Sequence, residues 1–246
     1  MHIHSPRKLL ICFFLLMMAL PLCTVHAKLP EGGYTDTEKV GFAFYKFANI
    51  KPNFTDWDIS ADAYKNAAAP LDRIEYRRKN AIRLDQGYND YDPDTDLIHV
   101  IADIQVVKLP DPTRPAITLS FNQSSTDTYF PFKVGKLWIA VIPRDIDKFE
   151  GIHLSPAEYS DFVKKVSNDT NKKVPALIEL WLRPLTAETK TPSMIDRQPY
   201  WPLLADIASV TIWNTDKTQV AWSYDAPGSA ATMEKKNDLV DLYGKR

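Results

Sequence analysis

The chain has 246 residues, a formal net charge of −1 at pH 7 and an aromatic content of 11%. This near balance of charge argues against a nucleic-acid-binding protein, whose surface is strongly basic. Glycine is scarce and proline is common, which favours a compact domain with rigid loops over a disordered linker.

The first 27 residues have the three zones of a cleavable secretory signal peptide. Arg7 and Lys8 supply positive charge, and an uncharged, largely apolar stretch follows from residue 9 to residue 22. Val25-His26-Ala27 then places small side chains at the first and third positions before a cut after Ala27. The sequence therefore predicts export to the periplasm, or alternatively to the extracellular space, and a mature chain of residues 28–246.

Two other interpretations of the N-terminus compete with cleavage. One is a lipid anchor on Cys23, which the bulky Leu22 before it disfavours, and the other is an uncleaved membrane anchor, which the shortness of the apolar run disfavours. After cleavage no stretch is apolar over about 20 residues, so no integral membrane segment is expected.

Removal of the signal peptide changes the cysteine content and the net charge of the chain. Both cysteines, Cys12 and Cys23, lie within it, so the mature chain has no thiol for a disulfide, a nucleophile or a thiolate metal site. Loss of Arg7 and Lys8 leaves 28 basic against 31 acidic side chains, a formal charge of −3.

Helices are expected in the N-terminal part of the mature chain, about residues 35–86. Thr35-Asp36-Thr37-Glu38 fits a capping box, in which a hydroxyl and a carboxylate satisfy free backbone amides, and a helix to about Asn49 follows. Ser60 is expected to cap a short second helix, and Pro70 fits the first turn of a third. In that third helix the apolar pattern is formed by Leu71, Ile74, Tyr76, Ala81, Ile82 and Leu84.

The pattern changes to strands near residue 97. There Ile98, Val100, Ala102, Ile104 and Val106 alternate with His99, Asp103 and Gln105, as in a strand with one wet face. Further strands are expected at residues 117–121, 136–143 and 174–183, followed by a hairpin of residues 207–213 and 218–224 with a polar four-residue turn.

One helix interrupts the strands. Ser155-Pro156-Ala157-Glu158 combines a capping box with proline at the first helical position, which predicts a helix to about Val166. Because strands outnumber crossover helices, we predict an α+β fold: a largely antiparallel sheet with the N-terminal helices and the inserted helix (about 155–167) packed on it. We expect one globular domain, mainly β over residues 97–225, with a polar tail over about 228–246.

Familiar catalytic constellations are absent from the sequence. The mature chain has two histidines, His99 and His153, and their spacing gives no sign of a shared zinc site, so surface or edge positions are the default for both. Neither a Gly-x-Ser-x-Gly motif nor a phosphate-binding glycine loop occurs.

The densest group of potential metal ligands lies between the helical and the β part. Asp90, Asp92, Asp94 and Asp96 place a carboxylate at every second position, and calcium favours such oxygens. The fit to an EF-hand is poor, because Leu97 stands where the turn requires glycine. The alternative is a loop whose side chains bond to nearby backbone amides. Calcium is thus the one candidate cofactor.

A second candidate site is aromatic. In Pro199-Tyr200-Trp201-Pro202 the prolines are expected to hold Tyr200 and Trp201 in a loop at a ligand or partner surface, whereas core packing is the default for the other tryptophans.

Function is predicted mainly by exclusion. A solid core without a recognisable catalytic set favours a non-enzymatic exported domain that binds a protein or an envelope component. The alternative is a carboxylate-dependent hydrolase of an envelope or extracellular polymer. Among its candidate carboxylates, Glu150 is unassigned, Glu158 belongs to the capping box and Glu179 alternates outward from its strand. The sequence does not indicate an oligomeric state.

Overall fold

The computed structural model describes residues 33–58, 64, 69–111, 113–121, 128–167 and 171–228. The predicted signal peptide, nearly all of the short helix predicted from Ser60, and the tail beyond residue 228 lie outside these described residues.

Helices and strands follow the predicted order, with helices first and strands after them. The α-helices are α1 (Asp36–Ala48), α2 (Thr55–Asp58), α3 (Pro70–Asp90) and α4 (Pro156–Val166), and a 3-10 turn spans Ile146–Phe149. The strands are β1 (Ile98–Leu109), β2 (Ala116–Phe121), β3 (Phe130–Val134), β4 (Leu137–Arg144), β5 (Ile152–His153), β6 (Lys173–Ala187), β7 (Ser193–Ile195), β8 (Gln198–Trp213) and β9 (Val220–Asp225). The predicted α+β class is confirmed.

All nine strands belong to one curled sheet. Its order is β3-β4-β8-β6-β1-β2-β5, and β7 and β9 also pair with β8. Among the described strands only β4 and β8 run parallel, so the prediction of a largely antiparallel sheet is confirmed. The core lies between this sheet and α1, which packs against β6, β3 and β1.

Both predicted capping boxes are present. The Thr35 hydroxyl accepts from the amide of Glu38, whose carboxylate accepts from the amide of Thr35, and Ser155 and Glu158 repeat the arrangement before α4. Reciprocal caps satisfy amides that the first helical turn leaves without a partner. They therefore set where α1 and α4 begin.

The buried face of α3 differs from the one predicted. Leu71, Ile74 and Ile82 are exposed, with 77%, 63% and 58% of their surface accessible. The buried positions follow a helical spacing of three or four residues at Tyr76, Asn80, Leu84 and Gly87. Tyr76 and Leu84 belong to the predicted apolar pattern, whereas a polar Asn80 and a glycine occupy the rest of the buried face.

The segment around Trp201 forms a strand rather than the predicted loop. Gln198 to Pro202 make up the start of β8, and this part of β8 pairs with β7 and β4. Pro199 lies opposite Met194 of β7 and Pro202 lies beside Ala140 of β4, whereas pairing with β6 begins only at Leu203. The hairpin turn is also longer than predicted, since β9 begins only at Val220.

No helix within the described ranges is long and apolar enough to cross a membrane.

Candidate functional site

Two carboxylates of the Asp-rich loop accept hydrogen bonds from within the loop. Asp92 accepts hydrogen bonds from the amide of Asp94 at 3.1 Å and from the hydroxyl of Thr95 at 3.1 Å, and Asp96 accepts from the amide of Asp92 at 3.0 Å. Asp90 ends α3. These bonds are those of the alternative interpretation, a turn that its own side chains stabilise.

Across the described part of the chain, no group of three or more His, Cys, Asp or Glu residues is placed to hold a metal ion. Calcium at Asp90, Asp92, Asp94 and Asp96 stays a prediction. A ligand that binds only the folded chain raises its thermal midpoint, so melts with calcium and with chelator decide it.

Tyr200 and Trp201 lie on β8 in different surroundings. The Tyr200 ring packs against Tyr129 at 5.6 Å and Trp138 at 5.7 Å, and Trp201 packs against the hydrophobic core. Both are half-buried. Their role at a ligand or partner surface stays a prediction, although the loop that suggested it is absent.

A partly buried polar arrangement is centred on His99, and we call it the His99 network: His99, Asp36, Glu179, Trp213 and Lys217. The Nδ1 atom of His99 lies 3.3 Å from Asp36 Oδ2, and Nε2 lies 2.8 Å from Glu179 Oε1. Glu179 also accepts from Trp213 Nε1 at 2.7 Å and from Lys217 Nζ at 3.2 Å. Every oxygen of Glu179 and both nitrogens of His99 are therefore engaged.

Strand register explains how these residues meet. His99 on β1 lies opposite Trp181 on β6. Glu179 precedes Trp181 by two residues on β6, so its side chain lies on the same face of the sheet. The His99 and Trp181 rings stack with centroids 4.4 Å apart. Asp36 reaches His99 from the first residue of α1. This outward face of the sheet is thus partly covered, and only 20% of the His99 side chain and 14% of the Glu179 side chain are exposed.

The network favours charged forms of its members. The hydrogen bond to Asp36 raises the pKa of His99 above its ordinary value of 6.5, burial opposes this, and the bond to Glu179 adds to the rise. Burial acts to raise the pKa of Glu179, but hydrogen bonds from His99, Lys217 and Trp213 outweigh it and bring the pKa below 4.5. An imidazolium between two carboxylates is the state that fits both shifts.

A groove of about 730 Å³ opens beside His99 and Asp36, and we call it the His99 groove. Its polar lining comes from the start of α1 and from β1, and its apolar lining comes from β1, the end of β2 and β3. The polar side chains are Thr35, Asp36, Thr37, His99 and Asp103, and the aromatic ones are Phe121, Phe130 and Phe132. The volume lies within the range of about 300–1,000 Å³ that is typical of ligand pockets.

This arrangement defines what the groove can do chemically. A general base needs a nitrogen with a free lone pair, and both nitrogens of His99 face carboxylates. What remains for a ligand is a set of hydrogen-bonding groups, two carboxylates and two threonine hydroxyls, beside aromatic faces. The groove therefore presents hydrogen-bonding groups and aromatic residues, and both nitrogens of its histidine are engaged by carboxylates.

The other predicted candidates lie apart from this groove. His153 lines a different cavity, near Tyr159 and Lys108. Glu158 is engaged in its capping box, and the hydrogen bond from Ser155 lowers its pKa. Glu150 follows the 3-10 turn and is exposed. Neither Glu150 nor Glu158 lines the His99 groove.

No family model, curated protein or solved structure matches the chain.

Proposed function

We propose that this chain is exported by residues 1–27 and that its folded part is a non-enzymatic binding domain of the cell envelope. One observation supports this most: a pocket-sized groove whose single histidine has both nitrogens engaged by carboxylates. The contacts with Asp36 and Glu179 hold the imidazole ring in place and favour its charged form.

The lining of the groove suggests the chemistry of its ligand. Asp36 and Asp103 offer carboxylate acceptors, Thr35 and Thr37 contribute hydroxyls, and Phe121, Phe130 and Phe132 also line the groove. A sugar presents hydroxyl donors at its edges and C–H groups at its faces, which match carboxylates and aromatic rings respectively. We therefore propose that the ligand is a segment of an envelope polysaccharide.

A hydrolase is the second candidate, for one specific reason. Asp36 and Asp103 line the same groove, and glycosidases use two carboxylates that flank the scissile bond. Asp36 is already occupied by His99 at 3.3 Å, which leaves it less available as an acid. This contact is why we place binding first.

Asp103 is the side chain to test, because it is exposed and its carboxylate makes no hydrogen bond with the described residues. With the mature chain from Lys28, we expect saturable binding to soluble envelope polysaccharide fragments by isothermal titration calorimetry. Asp103→Asn should weaken binding by about tenfold, the loss of one charge-assisted hydrogen bond. Asp147→Asn, an exposed carboxylate outside the groove, is the matched control and should bind as the wild type does.

Two outcomes would overturn the proposal. Equal affinity of the wild type and Asp103→Asn would place the ligand elsewhere, as would binding to none of the fragments. Release of new reducing ends by the wild type, abolished in Asp103→Asn, would replace binding with hydrolysis.

A further inference from the structure

A second cavity, of about 260 Å³, lies where β4, β6 and β8 run side by side. Arg144 on β4 is the register partner of Asp206 on β8, and Asp206 is in turn the partner of Arg183 on β6. An arginine, an aspartate and an arginine therefore form a row across three strands. Asp145 and Lys148 complete the charged lining of this cavity.

Charges within this cavity do not balance. Arg144 Nη2 pairs with Asp206 Oδ1 at 2.6 Å, and Lys148 Nζ pairs with Asp145 Oδ2 at 2.6 Å. Both carboxylates are thus already matched by a cation. Arg183 is the third cation, and its side chain makes no hydrogen bond or ion pair with the residues that the structure describes.

The surroundings of Arg183 indicate that this excess positive charge could hold an anion. Its Nε atom is buried without a hydrogen-bond partner. A buried donor that is left unsatisfied costs the free energy of its lost hydration, so such atoms are rare in folded chains. A guanidinium is a planar fork of donors that matches a carboxylate or a phosphate. An incoming oxyanion that pairs with this guanidinium would balance the excess charge of the cavity.

We propose that this cavity binds the oxyanion group of a small ligand through Arg183, with Arg144 and Lys148 at its edge. The volume is below the range of about 300–1,000 Å³ of pockets for drug-sized ligands, which suits a small molecule or the charged end of one. The rings of Phe149 and Tyr224, 5.3 Å apart, line the same cavity and provide an apolar wall. A single excess positive charge favours a carboxylate over a phosphate.

The proposal is tested by titrating the mature chain with sodium acetate and with sodium phosphate, at constant ionic strength set with chloride. Chemical shifts of the Arg183 side chain, recorded by ¹H–¹⁵N NMR, report on binding. We expect saturable chemical-shift changes in the wild type, and a dissociation constant at least about tenfold higher in Arg183→Gln. Arg114→Gln removes an exposed arginine outside this cavity and should change the dissociation constant by less than about twofold.

For the Arg183→Gln variant, which lacks that side-chain signal, the backbone amides of residues 206–208 serve as the probe. Arg183→Lys keeps the charge but loses the planar fork, so we expect an intermediate dissociation constant. Tighter binding of acetate assigns a carboxylate ligand, and tighter binding of phosphate assigns a phosphate ligand. Equal dissociation constants in the wild type and Arg183→Gln, or shifts no larger than those in chloride, would overturn the proposal.

Discussion

Glu179→Gln is expected to lower the free energy of unfolding by about 2 kcal/mol near pH 5.5, because it removes the anion that His99 and Lys217 share. One Glu179 oxygen accepts from both of these cations, and the other accepts from Trp213. A glutamine has one acceptor oxygen, so its amide group must face a donor at one of these sites. Urea denaturation of both proteins measures the difference.

This difference is also expected to depend on pH, and the direction follows from the two pKa shifts. The pKa of His99 is raised, so its contribution to stability is complete below 6.5 and is lost as the pH rises through the raised value. The pKa of Glu179 is lowered, so its contribution is complete above 4.5 and is lost as the pH falls through the lowered value. Both contributions are therefore complete only between pH 4.5 and 6.5.

The effect of Glu179→Gln should accordingly be largest within that interval and smaller at pH values of about 3 and 9. Glu150→Gln is the matched control, because Glu150 is exposed and its carboxylate has no hydrogen bond to the described residues. Its effect should stay within about 0.5 kcal/mol at every pH. A loss in Glu179→Gln that does not vary with pH would contradict the assignment of charge in the network.

Gly41→Ala is expected to destabilise the chain by about 2 kcal/mol, through overlap beneath α1. A Cβ atom at this position would lie 2.3 Å from Cη2 of Trp57 and 2.8 Å from Cγ1 of Val134. Trp57 is itself held among Phe42 and Phe54, with ring centroids 5.5 and 5.3 Å away, so its ring has little room to move. Overlap of this kind costs about 3 kcal/mol, and the better helix propensity of alanine returns about 1 kcal/mol.

Gly151→Ala is the control for this substitution, because no atom lies within 4 Å of the added Cβ. We expect its urea midpoint to match that of the wild type. If Gly41→Ala is as stable as Gly151→Ala, then α1 is not packed against Trp57 as described. That result would also contradict the position of Asp36 in the His99 network, since Asp36 is the first residue of α1.

The sequence predicted much of the fold because its local signals are strong. Capping boxes at Thr35 and Ser155 mark the starts of two helices correctly, and the alternation from Ile98 to Val106 marks β1. The start of β8 was missed because its prolines resemble those of a loop. Its pairing with the distant β4 decides its conformation, and no local pattern reports that contact.

The sequence predicted only part of the candidate site, for the same reason. Alternation placed His99 and Glu179 on the outward side of their strands, yet gave no sign that they meet. They are 80 residues apart, and only the antiparallel register of β1 and β6 joins them. Arg183 and Asp206 likewise become neighbours only through the pairing of β6 with β8. A single sequence gives residue types and local periods but not the register between distant strands.

We propose that His99 is held as an imidazolium between Asp36 and Glu179 and lines a binding groove rather than acting as a base. The most direct test is a ¹H–¹⁵N NMR titration of the His99 ring in the mature chain. We expect protons on both ring nitrogens at pH 6.5 and a midpoint above 6.5 that falls in Glu179→Gln. A single protonated nitrogen at that pH, with a midpoint at or below 6.5, would contradict it and would make His99 available as a base.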